Sequence, residues 1–170
     1  MNSYVALLRA VNVGGRKLLM ADLKALAEKV GLQEPRTYIA SGNLLFRSGK
    51  AEAELRSLLE REIKAHLGKP TDVLIRTAAE LGEVVKDNPF ANEPGNRVVA
   101  IFLDEKPPQE LEAKITNITD ERIALGRREI YVHYPNGMGR SKVRIPAAAS
   151  GTARNMNTVA KLAQLAKETV

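Results

Sequence analysis

Two glycine-bearing polar runs near the C-terminus hold residue types that bind anions. Gly137-Met138-Gly139-Arg140-Ser141-Lys142 and Gly151-Thr152-Ala153-Arg154-Asn155-Met156-Asn157-Thr158 combine guanidinium, ammonium, amide and hydroxyl donors with glycines that let backbone N–H groups approach a ligand. Both lie in residues 130–167, where Arg140, Lys142, Arg144, Arg154, Lys161 and Lys167 are accompanied by no Asp or Glu. The chain has 26 basic and 20 acidic residues, a net charge of +6, so these six side chains equal the whole excess. Charge placed in one segment points to an anionic partner. In Arg154-Asn155-Met156-Asn157-Thr158, either asparagine can cap the helix that follows, and Arg154 offers a bidentate fork beside its start. The alternative is that Asn157 only caps, Thr158 is the first helical residue and Arg154 pairs with a neighbouring carboxylate.

Two junctions in the first half have similar composition. Asn12-Val13-Gly14-Gly15-Arg16-Lys17 leads from a strand toward a helix, yet lacks the Walker spacing and its Lys-Ser/Thr ending, and glycines that merely turn the chain are the competing reading. Ser41-Gly42-Asn43 is a tight-turn composition suited to a hairpin. Neither these runs nor the C-terminal pair matches a motif of known reaction, so the question of enzymatic activity stays open. Catalysis here would rest on positioning and on electrostatic stabilisation by Arg, Lys and amides.

The elements that must position these junctions follow from periodicity. Tyr4 to Ala10 is an apolar strand, and Met20, Leu23, Leu26, Ala27 and Val30 recur at helical spacing until Gly31. Short strands at Arg36 to Ala40 and Leu44 to Arg47 flank the Ser41 turn; Leu55, Leu58, Leu59, Ile63 and Leu67 mark an amphipathic helix; Asp72 to Arg76 is a further strand. The order β-α-β-β-α-β is ferredoxin-like. Thr77 and Glu80 have capping-box spacing before a helix that stops at Asn88-Pro89. Val98 to Leu103 is a buried strand, a short helix runs from Pro107 or Pro108 through Ile115, and Arg122 to Leu125 pairs with Glu129 to Tyr134. A last helix, Asn157 to Glu168, buries Val159, Leu162, Ala163 and Ala166. The expected fold is α+β: a ferredoxin-like lobe over residues 1–76, a connecting helix and loop over 77–96, and a second, imperfect ferredoxin-like lobe over 97–170.

Composition excludes several classes. The absence of cysteine removes disulfides, thiolate zinc sites and thiol nucleophiles, and suits a reducing compartment. The N-terminus lacks a basic n-region, and the longest apolar run, Val98 to Leu103, is far shorter than the roughly 20 residues that span a bilayer. A cytoplasmic protein without membrane association is expected. His66 and His133 have no metal-ligand spacing and read as structural; no metal and no cofactor is expected. Nucleic acid is a weaker candidate partner. The ferredoxin-like order is shared with RNA-recognition modules, but this chain has only 3 Phe, 4 Tyr and no Trp, without the aromatic strand motif that stacks bases.

At the same junctions the chain resembles an uncharacterised bacterial family, the domain of unknown function 1697, over essentially its full length. The residues that carry the resemblance are Leu8-Arg9-Ala10-Val11-Asn12-Val13-Gly14-Gly15, Thr37-Tyr38-Ile39-Ala40-Ser41-Gly42-Asn43, Asn88-Pro89-Phe90, Gly139-Arg140-Ser141-Lys142 and Arg154-Asn155-Met156-Asn157-Thr158. Met156 stands where the family typically has Trp, and the stretch between Lys142 and Thr152 is short; both weigh against aromatic stacking there. The resemblance implies two ferredoxin-like lobes and no particular activity. Together these readings lead to an expected ligand, a phosphorylated small molecule or nucleotide in a basic cleft between the lobes. Arg9, Arg140, Lys142 and Arg154 would contact the anion. Asn12, Gly14, Gly15, Ser41, Asn43, Ser141, Asn155, Asn157 and Thr158 would orient it. A nucleic-acid module and a protein-interaction domain without a small ligand are the alternatives.

Overall fold

The computed structural model describes residues 1–9, 18–39 and 42–168. Eight strands and four helices among them follow the order β1 (Asn2–Leu8), α1 (Met20–Lys29), β2 (Gln33–Thr37), β3 (Asn43–Ser48), α2 (Glu52–Leu67), β4 (Val73–Thr77), α3 (Ala78–Lys86), β5 (Val98–Phe102), β6 (Arg122–Leu125), β7 (Glu129–His133), β8 (Thr152–Asn155) and α4 (Met156–Glu168). Short 3-10 turns at Gly95–Arg97, Gln109–Lys114, Met138–Arg140 and Pro146–Ser150 lie between them. The strands form two antiparallel four-stranded sheets, ordered β2-β3-β1-β4 and β6-β7-β5-β8. The two orders are equivalent strand for strand, and each is the ferredoxin-like arrangement. The fold is α+β with two such lobes. Contacts divide the chain into one unit of residues 1–82 with 162–170 and another of residues 83–161.

In the first unit the sequence signals act as local chemistry requires. Alternation places Tyr4, Ala6, Leu8, Leu44, Phe46, Val73 and Ile75 on one face of the sheet. There they pack with Leu23 and Ala27 of α1 and Leu55, Leu59 and Ile63 of α2. α1 ends in a Schellman motif at Gly31, φ +83°, with Gly31 N–H donating to Glu28 O and Leu32 N–H to Ala27 O. Thr77 and Glu80 close a reciprocal capping box at the start of α3, at 3.1 and 2.9 Å.

The second unit has the same strand order with less helix. The segment expected as a helix from Pro107 or Pro108 through Ile115 is a 3-10 turn, Gln109–Lys114, which buries only Leu111. Between β7 and β8, where the first unit has α2, residues 134–151 run through two 3-10 turns with no α-helix. β8 itself was not expected. Thr152-Ala153-Arg154-Asn155 has no apolar alternation, because its buried side chains on one face are Thr152 and Arg154. Val99, Ile101, Leu103, Ile130, Val132 and Tyr134 form the apolar face of this sheet, covered by Leu111, Ile115, Val143, Ile145, Ala147 and Ala148.

Candidate functional site

The expected anion-binding residues separate into three groups. Asn12, Gly14, Gly15 and Ser41 lie outside the described residues. Arg9 and Asn43, in the first unit, have structural partners: the Arg9 guanidinium pairs with Asp72 at 3.1 Å, and the fully buried Asn43 donates from its amide to Tyr38 O at 3.0 Å while its own backbone carbonyl accepts from Tyr38 N–H. Asn43 thus ties the β2–β3 hairpin across Gly42, φ +85°, which is the turn role its composition suggested. The remaining seven residues all belong to the second unit.

On that unit, β8 and the start of α4 hold Arg154, Asn155, Asn157 and Thr158. Arg154 is buried on the face of β8 opposite Ala153, in register with Ala100, and donates to Thr152 Oγ1 at 2.7 Å and Ala153 O at 2.9 Å. Burial pushes its guanidinium down to about 10, since removal from water disfavours the charged form. Asn155 Oδ1 accepts from Thr158 N–H at 2.9 Å, so Asn155 is the N-cap and Met156 the first helical residue. Asn157 is exposed and lies against Gly95, where an added Cβ would come within 2.1 Å of Asn157 Oδ1. The first turn of α4 is therefore engaged by its own cap and by the Gly95 turn.

The other three sit in the 134–151 connection. Gly137, with φ +87° and ψ +148°, occupies backbone space that only glycine adopts readily, and the Arg97 guanidinium stands 2.9 Å from where its Cβ would be. After the Met138–Arg140 turn the chain is extended, and exposure alternates: Arg140, Lys142 and Arg144 are exposed, whereas Ser141, Val143 and Ile145 are half-buried. Ser141 Oγ accepts from Val143 N–H at 3.2 Å, and Arg144 exchanges both backbone hydrogen bonds with Thr116 at 2.9 and 3.1 Å, which pins the segment. On such an extended chain the Cα atoms of Lys142 and Arg144 stand about 6.6 Å apart. Among the described residues, none of the three makes an ion pair. Arg144 did not stand out in the sequence as a contact residue, although its i+2 spacing from Lys142 and Arg140 was there to be read.

Two cavities flank this row. A polar one of about 280 Å³ is lined by Thr119, Asp120, Glu121, Tyr134, Asn136, Gly137, Arg140 and Ser141. Its carboxylates are engaged by neutral donors: Asp120 accepts from the Asn136 amide, and Glu121 from the N–H and hydroxyl of Thr119. The other, about 600 Å³, is an apolar groove whose only charged lining residue is Arg144. Tyr134 borders both cavities; burial and then Glu121 raise its phenol above the ordinary value.

A further polar cluster, missed from the sequence, surrounds His133. Its Nδ1 lies 3.0 Å from Arg122 Nη2 and its Nε2 3.4 Å from Glu93, while Arg122 also pairs with Glu93 at 3.0 Å and stacks over Phe90. Arg122 is a donor only, so Nδ1 accepts and Nε2 carries the proton toward Glu93. With both ring nitrogens engaged, the histidine holds the 88–97 segment against β7 and offers neither nitrogen to a substrate. The signal was Asn88-Pro89-Phe90, whose Asn88 Oδ1 accepts from Phe90 N–H at 2.9 Å to form the turn. Among the described residues, no group of three or more His, Cys, Asp or Glu could hold a metal ion.

A family model described as "protein of unknown function (DUF1697)" matches residues 1–131. The chain belongs to this family. The match spans the first lobe and the second as far as β7, and stops before Arg140, Lys142 and Arg144. No curated protein matches the chain. Among solved structures it is similar to the conserved bacterial protein SP0830 from Streptococcus pneumoniae, with a TM-score of 0.83, 24% identity, and 98% of this chain and 99% of that one covered. At this identity the likeness shows a shared fold. No helix among the described residues of this DUF1697 protein is long and apolar enough to cross a membrane.

Proposed function

We propose that this DUF1697 protein binds a small phosphate-bearing molecule on its second unit, with Arg140, Lys142 and Arg144 meeting the phosphate. The observation that carries the reading is the exposed row itself: Arg140 at the end of the 3-10 turn and Lys142 and Arg144 at alternate positions of the anchored, extended segment that follows, none in an ion pair among the described residues, in a stretch of chain without a single acid between residues 130 and 167. Some exposed cations elsewhere pair with carboxylates, as in Lys50–Glu54 and Arg122–Glu93, and what sets this row apart is the close spacing of its three cations along one short segment. Unpaired like charges held side by side repel one another, and an anion relieves that repulsion. Arg154 is buried on the face of β8 opposite Ala153, and no part in direct contact is assigned to it.

The test is a thermal-shift and calorimetric titration with pyrophosphate and glycerol phosphate, set against a short single-stranded oligonucleotide. Because the cations are exposed, each of Lys142→Ala and Arg144→Ala is expected to weaken phosphate binding by about two- to fivefold. Oligonucleotide binding with a log–log salt slope near −2, as three phosphate contacts on a single strand would give, and no response to either small phosphate, would instead favour the nucleic-acid alternative. An absence of any shift would favour an interaction domain without a small ligand.

A further inference from the structure

We infer that the phosphate-bearing ligand carries an aliphatic body, and that the apolar groove behind Arg144 holds it. This rests on the phosphate reading above and specifies the class of compound: a soluble, short-chain alkyl or branched-alkyl phosphate monoester.

The groove exists because of what the second unit lacks. In the first unit α1 and α2 cover the apolar face of the sheet with Leu23, Leu55, Leu59 and Ile63, all fully buried. In the second, the corresponding cover between β7 and β8 is the Pro146–Ser150 turn, whose Ala147, Ala148 and Ala149 are too small to fill the same depth. What remains is a groove of about 600 Å³, within the range of small-molecule sites, whose lining includes Ile101, Val143, Ile145, Pro146, Ala148 and Met138. Met138 at its edge is 55% exposed, a large apolar side chain left in water beside an apolar hollow.

The chemistry of the lining selects the occupant. Alkyl groups dominate it, and Tyr134 and Arg144 are the only lining side chains with polar ends. A nucleobase or sugar brings several donors and acceptors that would go unpaired there, at a cost in affinity, whereas a hydrocarbon loses nothing. Charge then fixes the other end of the molecule. Arg144 is part of the groove wall and also the last cation of the Arg140, Lys142, Arg144 row, so an anionic head at the rim and an apolar body in the groove satisfy both features.

Wild-type protein titrated with inorganic phosphate and with butyl, hexyl and octyl phosphate separates the two claims. The inference predicts affinity that rises with chain length by at least about twofold per methylene, where full burial of a methylene corresponds to about fourfold. It also predicts that Ala149→Trp, which fills the groove from its exposed rim, flattens this dependence while leaving binding of inorganic phosphate in place. Met138→Trp adds the chain's sole tryptophan at the groove edge and should report the longer esters by a fluorescence change. Equal affinity for all four compounds would overturn the inference and leave the phosphate reading standing. No affinity for any of them, or affinities for all four compounds unaltered in the Lys142→Ala/Arg144→Ala double variant, would remove the phosphate reading and the inference with it. Binding of octyl phosphate only when it is incorporated in vesicles would also overturn it, since a membrane surface rather than a soluble ester would then be the partner.

Discussion

Burial decides what the polar side chains of the second unit can do. Tyr131 donates its hydroxyl to Val84 O at 2.7 Å, and burial, with Glu129 next, drives its phenol well above the ordinary 10. The folded state therefore favours the neutral phenol. This contribution is fully present below about pH 10, the unfolded value, and is lost as pH climbs above it. Arg154 has the opposite sign: its depressed guanidinium penalises the fold below about 10, and the penalty fades as pH rises further. Because Arg154 is unchanged in a Tyr131 variant, its effect cancels in the comparison. Tyr131→Phe should lose about 1–2 kcal/mol near pH 8, from the hydrogen bond and the carbonyl left behind, and should then lose less than wild type on going to about pH 10.5. Urea unfolding at the two pH values measures both quantities, and parallel losses in the two proteins would show that the phenol is not the titrating group.

At the scale of elements, the junction of β8 and α4 is built by close backbone approach as much as by capping. Removing the cap in Asn155→Ala should cost about 1 kcal/mol, whereas Asn157→Ala, which removes no cap, should cost little by itself. Gly95→Ala drives a methyl into the Asn157 amide, so Asn157→Ala should restore most of the stability it loses. Gly151→Ala has no such rescue, because the atom it meets at 2.6 Å is the backbone carbonyl of Phe102. A double-mutant cycle by chemical denaturation checks the set; additive losses at Gly95 and Asn157 would contradict the contact. The same elements mark how far the sequence could be read. Apolar periodicity located β1, α1, α2, β5 and α4, and the Thr77–Glu80 spacing located the α3 cap, because those signals are local. β8 escaped because its one buried face is a threonine and an arginine, a choice made by tertiary surroundings. The Gln109–Lys114 turn was expected as a short helix because Pro107 and Pro108 can open a helix as well as a 3-10 turn. For the candidate site, composition pointed to the 137–142 run, while the shared exposure of Arg140, Lys142 and Arg144 emerges only once the backbone is known to turn through Met138–Arg140 and run extended from Ser141.

For the whole molecule the two lobes repeat one strand order with different cover, and that difference organises the functional reading. One sheet is sealed by two amphipathic helices; the other is covered partly by a helix-free connection that carries the cations outward and leaves an apolar groove inward. A net charge of +6 would by itself draw anions weakly to any part of the surface, so the central claim is about place rather than amount. The most direct measurement compares two triple variants of equal charge, each at +6 − 3 = +3: Arg140→Ala/Lys142→Ala/Arg144→Ala, and Lys24→Ala/Lys64→Ala/Lys69→Ala, whose lysines are also exposed, on the first unit. Calorimetric titration with pyrophosphate at fixed ionic strength should show binding reduced more than about tenfold in the first and nearly unchanged in the second. Equal reductions in both would contradict a localised site and leave only the general attraction of a basic protein for anions.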